Sequence, residues 1–246
     1  MPFDTHIALA LCMMLGAALY SSVGHAGASA YIALMALFGT APAAMRPTAL
    51  VLNLAVGTLA SWRYVAAGLF RWRTLWPLLL GAVPMAFAGG AIQLPSDVYR
   101  PLVGVVLLIS AVRFLWPSEF TANAEWKDPP VPLAVLAGAG IGLLAGLTGT
   151  GGGIFLSPIL IFMAWASTRT ASGVVAVFIL CNSAAGLAGN LVSMRALPPE
   201  LPMYIGAVLI GGVVGTTLGI RLPVNLILKA LGFVLIIAGT KLIGLH

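Results

Sequence analysis

The chain has 246 residues, 61% of them hydrophobic and 7% charged, against roughly 25% charged in ordinary soluble domains; a soluble globular domain is excluded. The net charge of +6 comes from Lys and Arg residues scattered singly or in the short Arg71/Arg73 pair, not from a basic stripe, so no nucleic-acid partner is implied and positively charged cytoplasmic loops explain it better. Cys12 and Cys181 lie far apart in apolar sequence and suggest small buried residues rather than a disulfide or a metal site.

In chain order the apolar segments run approximately over 5–23, 27–40, 47–67, 73–92 and 98–116, then 132–148, 152–166, 171–192, 202–220 and 225–244. The first lacks a basic leader and a small-residue cleavage site, so it reads as a span and not a signal peptide. A full span needs about 20 apolar residues, and the second segment of each half is shorter, which reads as a re-entrant hairpin or a kinked span. The acids Asp4, Asp97, Glu119, Glu125, Asp128 and Glu200 fall at the N-terminus or in polar interruptions. Trp62, Trp72, Trp76, Trp116 and Tyr64 cluster at segment ends as an aromatic belt, and Arg113 and Lys241 sit where they can snorkel. The stretch Pro117–Pro130 divides the chain into a first membrane repeat (1–116), a polar linker (117–131) and a second membrane repeat (132–246).

The halves read as copies. Asn53 and Gly57 in LNLAVG match Asn182 and Gly186 in LCNSAAG, Arg113 matches Lys241, and Gly24-His25-Ala26-Gly27 falls close to the cluster Gly149, Gly151, Gly152, Gly153. Chance similarity between Leu/Ala/Gly-rich segments is the competing explanation. The expected fold is an all-α integral membrane protein of about 8–10 transmembrane segments with Gly-broken helices, its two homologous halves arranged as inverted repeats. Arg63, Arg71 and Arg73 put the loop between the third and fourth segments in the cytoplasm. An odd number of spans per half then gives inversion, with the N-terminus outside; an even number gives parallel repeats.

The glycine cluster interrupts what would otherwise be one long helix, at about 1 kcal/mol per Gly relative to Ala. It is no phosphate loop, since G-x-x-x-x-G-K-[ST] requires a Lys that is missing here. In a membrane, irregular backbone is tolerated where it is buried in protein or lines a cavity, and breaks at corresponding places in two repeats point to a transporter's substrate site. Close helix packing is the other reading of such small residues, and interhelical hydrogen bonding the other reading of Asn53 and Asn182.

The pattern GLLAGLTGTGGGIFLSPIL, its degenerate first-half copy SVGHAGASAYIALMALFG and the Asn-bearing third segments resemble the TauE/SafE sulfite exporter family over nearly the whole chain. The resemblance implies transport of sulfite, an organosulfonate or another small sulfur anion. The chain departs from the family pattern at His25 and Ala26. Glycine-exposed backbone, hydroxyls and amides suit a compact oxyanion head. The candidate substrate-binding residues are Gly24, His25, Ser29, Asn53, Thr148, Gly149, Thr150, Gly151, Gly152, Gly153, Ser157 and Asn182, with Ser21 and Ser22 as further hydroxyls near the first break.

No carboxylate pair, metal-ligand cluster or Ser/His/Asp set occurs within the apolar segments, so neither an enzyme, nor a cofactor, nor a metal is expected. The partners expected are a small anion and the lipid bilayer, with a homodimer left open, and the location is the inner (plasma) membrane as a multi-pass protein. A secondary transporter, exporting with the membrane potential, leads; an anion channel or a carrier of another small anion is the alternative.

Overall fold

Glycine and proline decide where the helices stop. The computed structural model describes residues 3–115, 126–191, 197–218 and 224–244, and among them no strand occurs. The helices are α1 (Phe3–Ser21), α2 (Ala28–Leu37), α3 (Pro42–Ala66), α4 (Trp72–Ala91), α5 (Ser96–Leu115), α6 (Val131–Thr148), α7 (Gly153–Phe162), α8 (Thr168–Leu191), α9 (Leu201–Leu218) and α10 (Val224–Ile243). Trp116, Glu119, Glu125, Arg195, Arg221 and the side chain of Arg113 lie outside the described residues.

Five helices, lying within α1, α3, α4, α6 and α8, are long and apolar enough to cross a membrane, and shorter apolar helices accompany them. Large apolar side chains such as Leu11, Leu80, Ile109, Leu136, Ile210 and Phe233 face outward, an arrangement that lipid, not water, accommodates. The protein is a multi-pass membrane protein. Helix α2 lies deepest of the short helices: eight of its ten residues are buried, against four of ten in α7.

Two boundaries differ from the sequence expectation for physical reasons. The third segment begins at Pro42 rather than 47, because Pro42 occupies the first turn, where its missing N–H is not needed, and Pro47 is carried inside the helix. Arg46 is therefore helical and buried, not a loop charge. The seventh helix ends at Phe162 rather than 166: Ala164 takes a φ of 54° and Trp165 N–H donates to Leu160 O at 2.8 Å, closing the end.

Helix α4 packs against α6 and α8, while α9 packs against α1 and α3; α2 lies on α3 and α7 on α8; α3 meets α8 and α5 meets α10. Each of these contacts has a partner when the halves are exchanged. The closest seams are glycine-lined. A Cβ at Gly81, Gly89 or Gly146 would collide with the backbone between α4 and α6, one at Gly90 or Gly189 with that between α4 and α8, and one at Gly211 or Gly215 with that between α1 and α9. Such small-residue contacts let membrane helices approach at backbone distance.

Hydrogen bonds fix the directions. Tyr64, near the end of α3, donates to Ser21 O at the end of α1 (3.2 Å). Arg46, near the start of α3, donates to Leu147 O at the end of α6 (3.4 Å). Helix α1 thus runs with α3, whereas α6 runs against it. At the helix ends His6 approaches Glu200 (3.4 Å) and Arg71 pairs with Asp128 (2.8 Å).

Candidate functional site

Both short helices start from a left-handed glycine. Gly27 caps α2 at φ 104° and Gly152 caps α7 at φ 80°, a conformation that costs other L-residues about 1–2 kcal/mol. A Cβ on Gly27 would also strike the Tyr31 ring, and one on Gly152 would crowd Ile141 and the Asn182 amide. These two positions turn the chain so that the first turns of α2 and α7 converge on one small cavity. It is lined by Tyr20, His25, Ala28, Ser29, Asn53, Thr150, Gly153 and Ile154, among others, and measures about 10 Å³, room for roughly one water. Among the described residues no Asp or Glu lines it.

Asn53 ties the two breaks together. Its Oδ1 accepts from Ala28 N–H at 3.1 Å, in the first turn of α2. Its Nδ2 donates to Ser183 of α8 at 3.1 Å and lies against Gly151, where a Cβ would collide with it. Asn182, its counterpart, lies closest to Gly151 and Gly152, with Nδ2 3.5 Å from Gly151 O. The Asn182 Oδ1 is buried and has no hydrogen-bond partner among the described residues, which costs about 1–3 kcal/mol. An orphan acceptor here is open to a donor such as a hydroxyl, an ammonium group or water.

His25 crosses from the first break to the second half. Its Nε2 lies 3.0 Å from Ser157 Oγ on α7 and its Nδ1 3.2 Å from Val23 O. With the proton on Nδ1, donated to Val23 O, Ser157 donates to Nε2. With both nitrogens protonated, Nε2–H donates to Ser157, whose hydroxyl turns to Gly153 O at 3.1 Å. Both charge states are therefore accommodated without moving a heavy atom.

Of the residues singled out in the sequence, His25, Ser29, Asn53, Thr150 and Gly153 line the cavity, and Gly151, Gly152, Ser157 and Asn182 stand directly behind it. Ser29 donates to Tyr20 Oη at 2.8 Å. The others support the breaks. Gly24 packs on Ser172 and Gly149 on Arg46. Thr148 bonds back to Leu144 O at 2.6 Å and to the Thr150 hydroxyl at 3.0 Å. Ser21 and Ser22 turn to the Gly212 and Leu19 carbonyls, away from the cavity. Among the described residues no group of His, Cys, Asp or Glu could hold a metal ion.

The sequence model described as Sulfite exporter TauE/SafE matches residues 9–242. The chain belongs to the TauE/SafE family. It is 38% identical over 242 residues, covering 96% of this chain and 98% of the relative, to a Sinorhizobium fredii protein (strain NBRC 101917 / NGR234) named "Probable membrane transporter protein y4hK". No solved structure matches it. The family and the relative's name make this TauE/SafE chain a membrane transporter.

Two residues at the breaks of this TauE/SafE protein escaped sequence reasoning. Arg46, 7% exposed, donates to Ile92 O at 2.8 Å and to Leu147 O at 3.4 Å. With the Asn190 amide turned so that its oxygen faces the guanidinium, Nε (3.1 Å) and Nη2 both reach it. The carbonyls of Ile92 and Leu147 belong to the ends of α4 and α6, where helix dipoles are negative. Tyr20 was missed as well, and its place at the end of an apolar segment gave no signal beyond an aromatic anchor.

Proposed function

We propose that this protein is a secondary transporter that exports a small sulfur-containing oxyanion, sulfite or an organosulfonate, across the inner (plasma) membrane. The carrying observation is that the first turns of α2 and α7 line one cavity that no carboxylate among the described residues enters. Each helix start carries the equivalent of about half a positive charge, so two of them facing one space favour an anion. Asn53, Thr150 and His25 add side-chain groups around it, and Asn182 stands behind the second break. At about 10 Å³ the cavity is shut around less than an oxyanion, which fits a carrier that opens to one side at a time rather than a standing pore.

The two halves are inverted repeats in this reading. Its support is the exchange symmetry of the helix contacts and the opposite directions of α1 and α6. A membrane potential, negative inside, is worth about 2.3 kcal/mol per charge per 100 mV, so it expels a monoanion without a coupling ion. The purified protein in liposomes loaded with sulfite should show saturable efflux that quickens when an interior-negative potassium diffusion potential is imposed. Absence of flux both for sulfite and for organosulfonates loaded in its place overturns the substrate reading. Flux that never saturates makes the protein a channel, and flux that ignores voltage but follows an imposed pH gradient replaces uniport with proton coupling.

A further inference from the structure

A second, larger cavity lies at the other end of α2. It measures about 370 Å³ and lies between the last turn of α2, the first turn of α5 and the last turn of α10, with Thr40, Met45, Asp97, Arg100 and Lys241 in its wall. That volume falls within the roughly 300–1,000 Å³ of small-molecule sites. In a chain with twelve basic and six acidic residues in all, three ionisable side chains from two helices meet here. Two cations and one carboxylate leave one net positive charge.

Donors remain open. Lys241 Nζ donates to Leu37 O at 2.8 Å, one of the three hydrogen bonds an ammonium can give. Arg100 and Asp97 form no ion pair, with each other or with another described residue. A guanidinium offers a planar fork that fits two oxygens of a sulfonate, sulfite or phosphate, and Thr40 adds a hydroxyl. The cavity also lies one short helix from the first break and one residue from a support of the second. Ten residues of α2, about 15 Å at 1.5 Å per residue, separate it from the central cavity, and the residue after Met45 is Arg46, on which Gly149 packs.

We propose that this cavity is a second oxyanion site, in which Arg100 and Lys241 hold a singly charged sulfur or phosphorus oxyanion head. Asp97 opposes a second negative charge. The head is that of a free anion, in which case the proposal rests on the transport reading above, or that of a phospholipid phosphodiester.

The test uses the full chain. Equilibrium dialysis of radiolabelled sulfite against the detergent-solubilised protein should give about two equivalents bound; Arg100→Gln with Lys241→Gln should remove one of them, and Arg100→Lys alone should retain it. In parallel, native mass spectrometry from nanodiscs should show whether the wild type retains phosphatidylglycerol and the double variant releases it, with phosphatidylcholine discs as the control. Loss of either ligand in the double variant supports the site and names its source. A folded double variant, checked by its elution and melting temperature, that binds sulfite and retains phosphatidylglycerol like the wild type overturns it. Gly152→Leu separates the two readings: if it leaves sulfite binding intact while the double variant loses an equivalent, the central site fails and the outer one stands.

Discussion

The two helix breaks share a backbone and differ in charge. Each follows a helix of near-spanning length, turns through left-handed glycines and starts a ten-residue helix beside an Asn from the third helix of one half. The first break carries His25 and sets Gly24 against Ser172; the second carries only hydroxyls and glycines and sets Gly149 against Arg46. The turn geometry is what the halves hold in common, whereas the charge-bearing side chains differ: His25 stands at one break, and the buried Arg46 guanidinium braces the other.

The largest expected effect comes from filling the shared geometry. Gly27→Leu and Gly152→Leu should each reduce sulfite flux in liposomes to background while the protein still inserts, because both residues hold positive φ and both meet side chains where a Cβ would be. Full activity in either variant would show that the breaks are not equivalent. Next is the brace. Arg46→Met removes charged hydrogen bonds worth about 1.5–3 kcal/mol apiece and leaves the α4 and α6 ends without their cation, so the melting temperature should fall by several degrees. An unchanged melting temperature would end the role of Arg46 as a brace.

The paired asparagines should then separate. Asn53→Ala leaves Ala28 N–H unpaired and should lower stability by about 1–3 kcal/mol. Asn182, whose Nδ2 has its one hydrogen-bond partner at 3.5 Å, has less to lose in the folded state; Asn182→Ala removes that N–H donor and should instead weaken sulfite affinity about tenfold, roughly 1.4 kcal/mol, in the same dialysis measurement. An Asn182→Ala protein that melts earlier but binds sulfite normally would make that residue interhelical glue. Smallest is His25→Gln, which should leave the acceleration by an interior-negative potential in place. If flux instead follows a pH gradient in the wild type and loses that dependence in the variant, His25 carries a proton.

The breaks were legible because glycine clusters and a repeated Asn are written in residue identity. Helices accordingly end or start at Gly27, Gly149 and Gly152, and Asn53 and Thr150 line one cavity between them. Arg46 was not legible. Pro42 and Pro47 flank it and make the segment read as a loop, and its carbonyl partners lie 46 and 101 residues away, beyond any local pattern. The outer cavity was hidden for the same reason, since Thr40, Arg100 and Lys241 meet only through packing. Helix ends slipped where a proline could be carried inside a helix, as at Pro47, or where the chain closed early, as at Ala164.

The glycine seams settle which helices can part from which. Helix α4 belongs to the first half of the sequence, yet it is locked backbone to backbone onto α6 and α8 of the second; α9 is locked in the same manner onto α1 across the same divide. The tight blocks are therefore not the two sequence repeats but mixed ones, α4 with α6 and α8, and α1 with α9. A gene cut in the linker would yield two fragments that each lack the partner for their tightest groove, so neither should be stable in a membrane until the other is made alongside it.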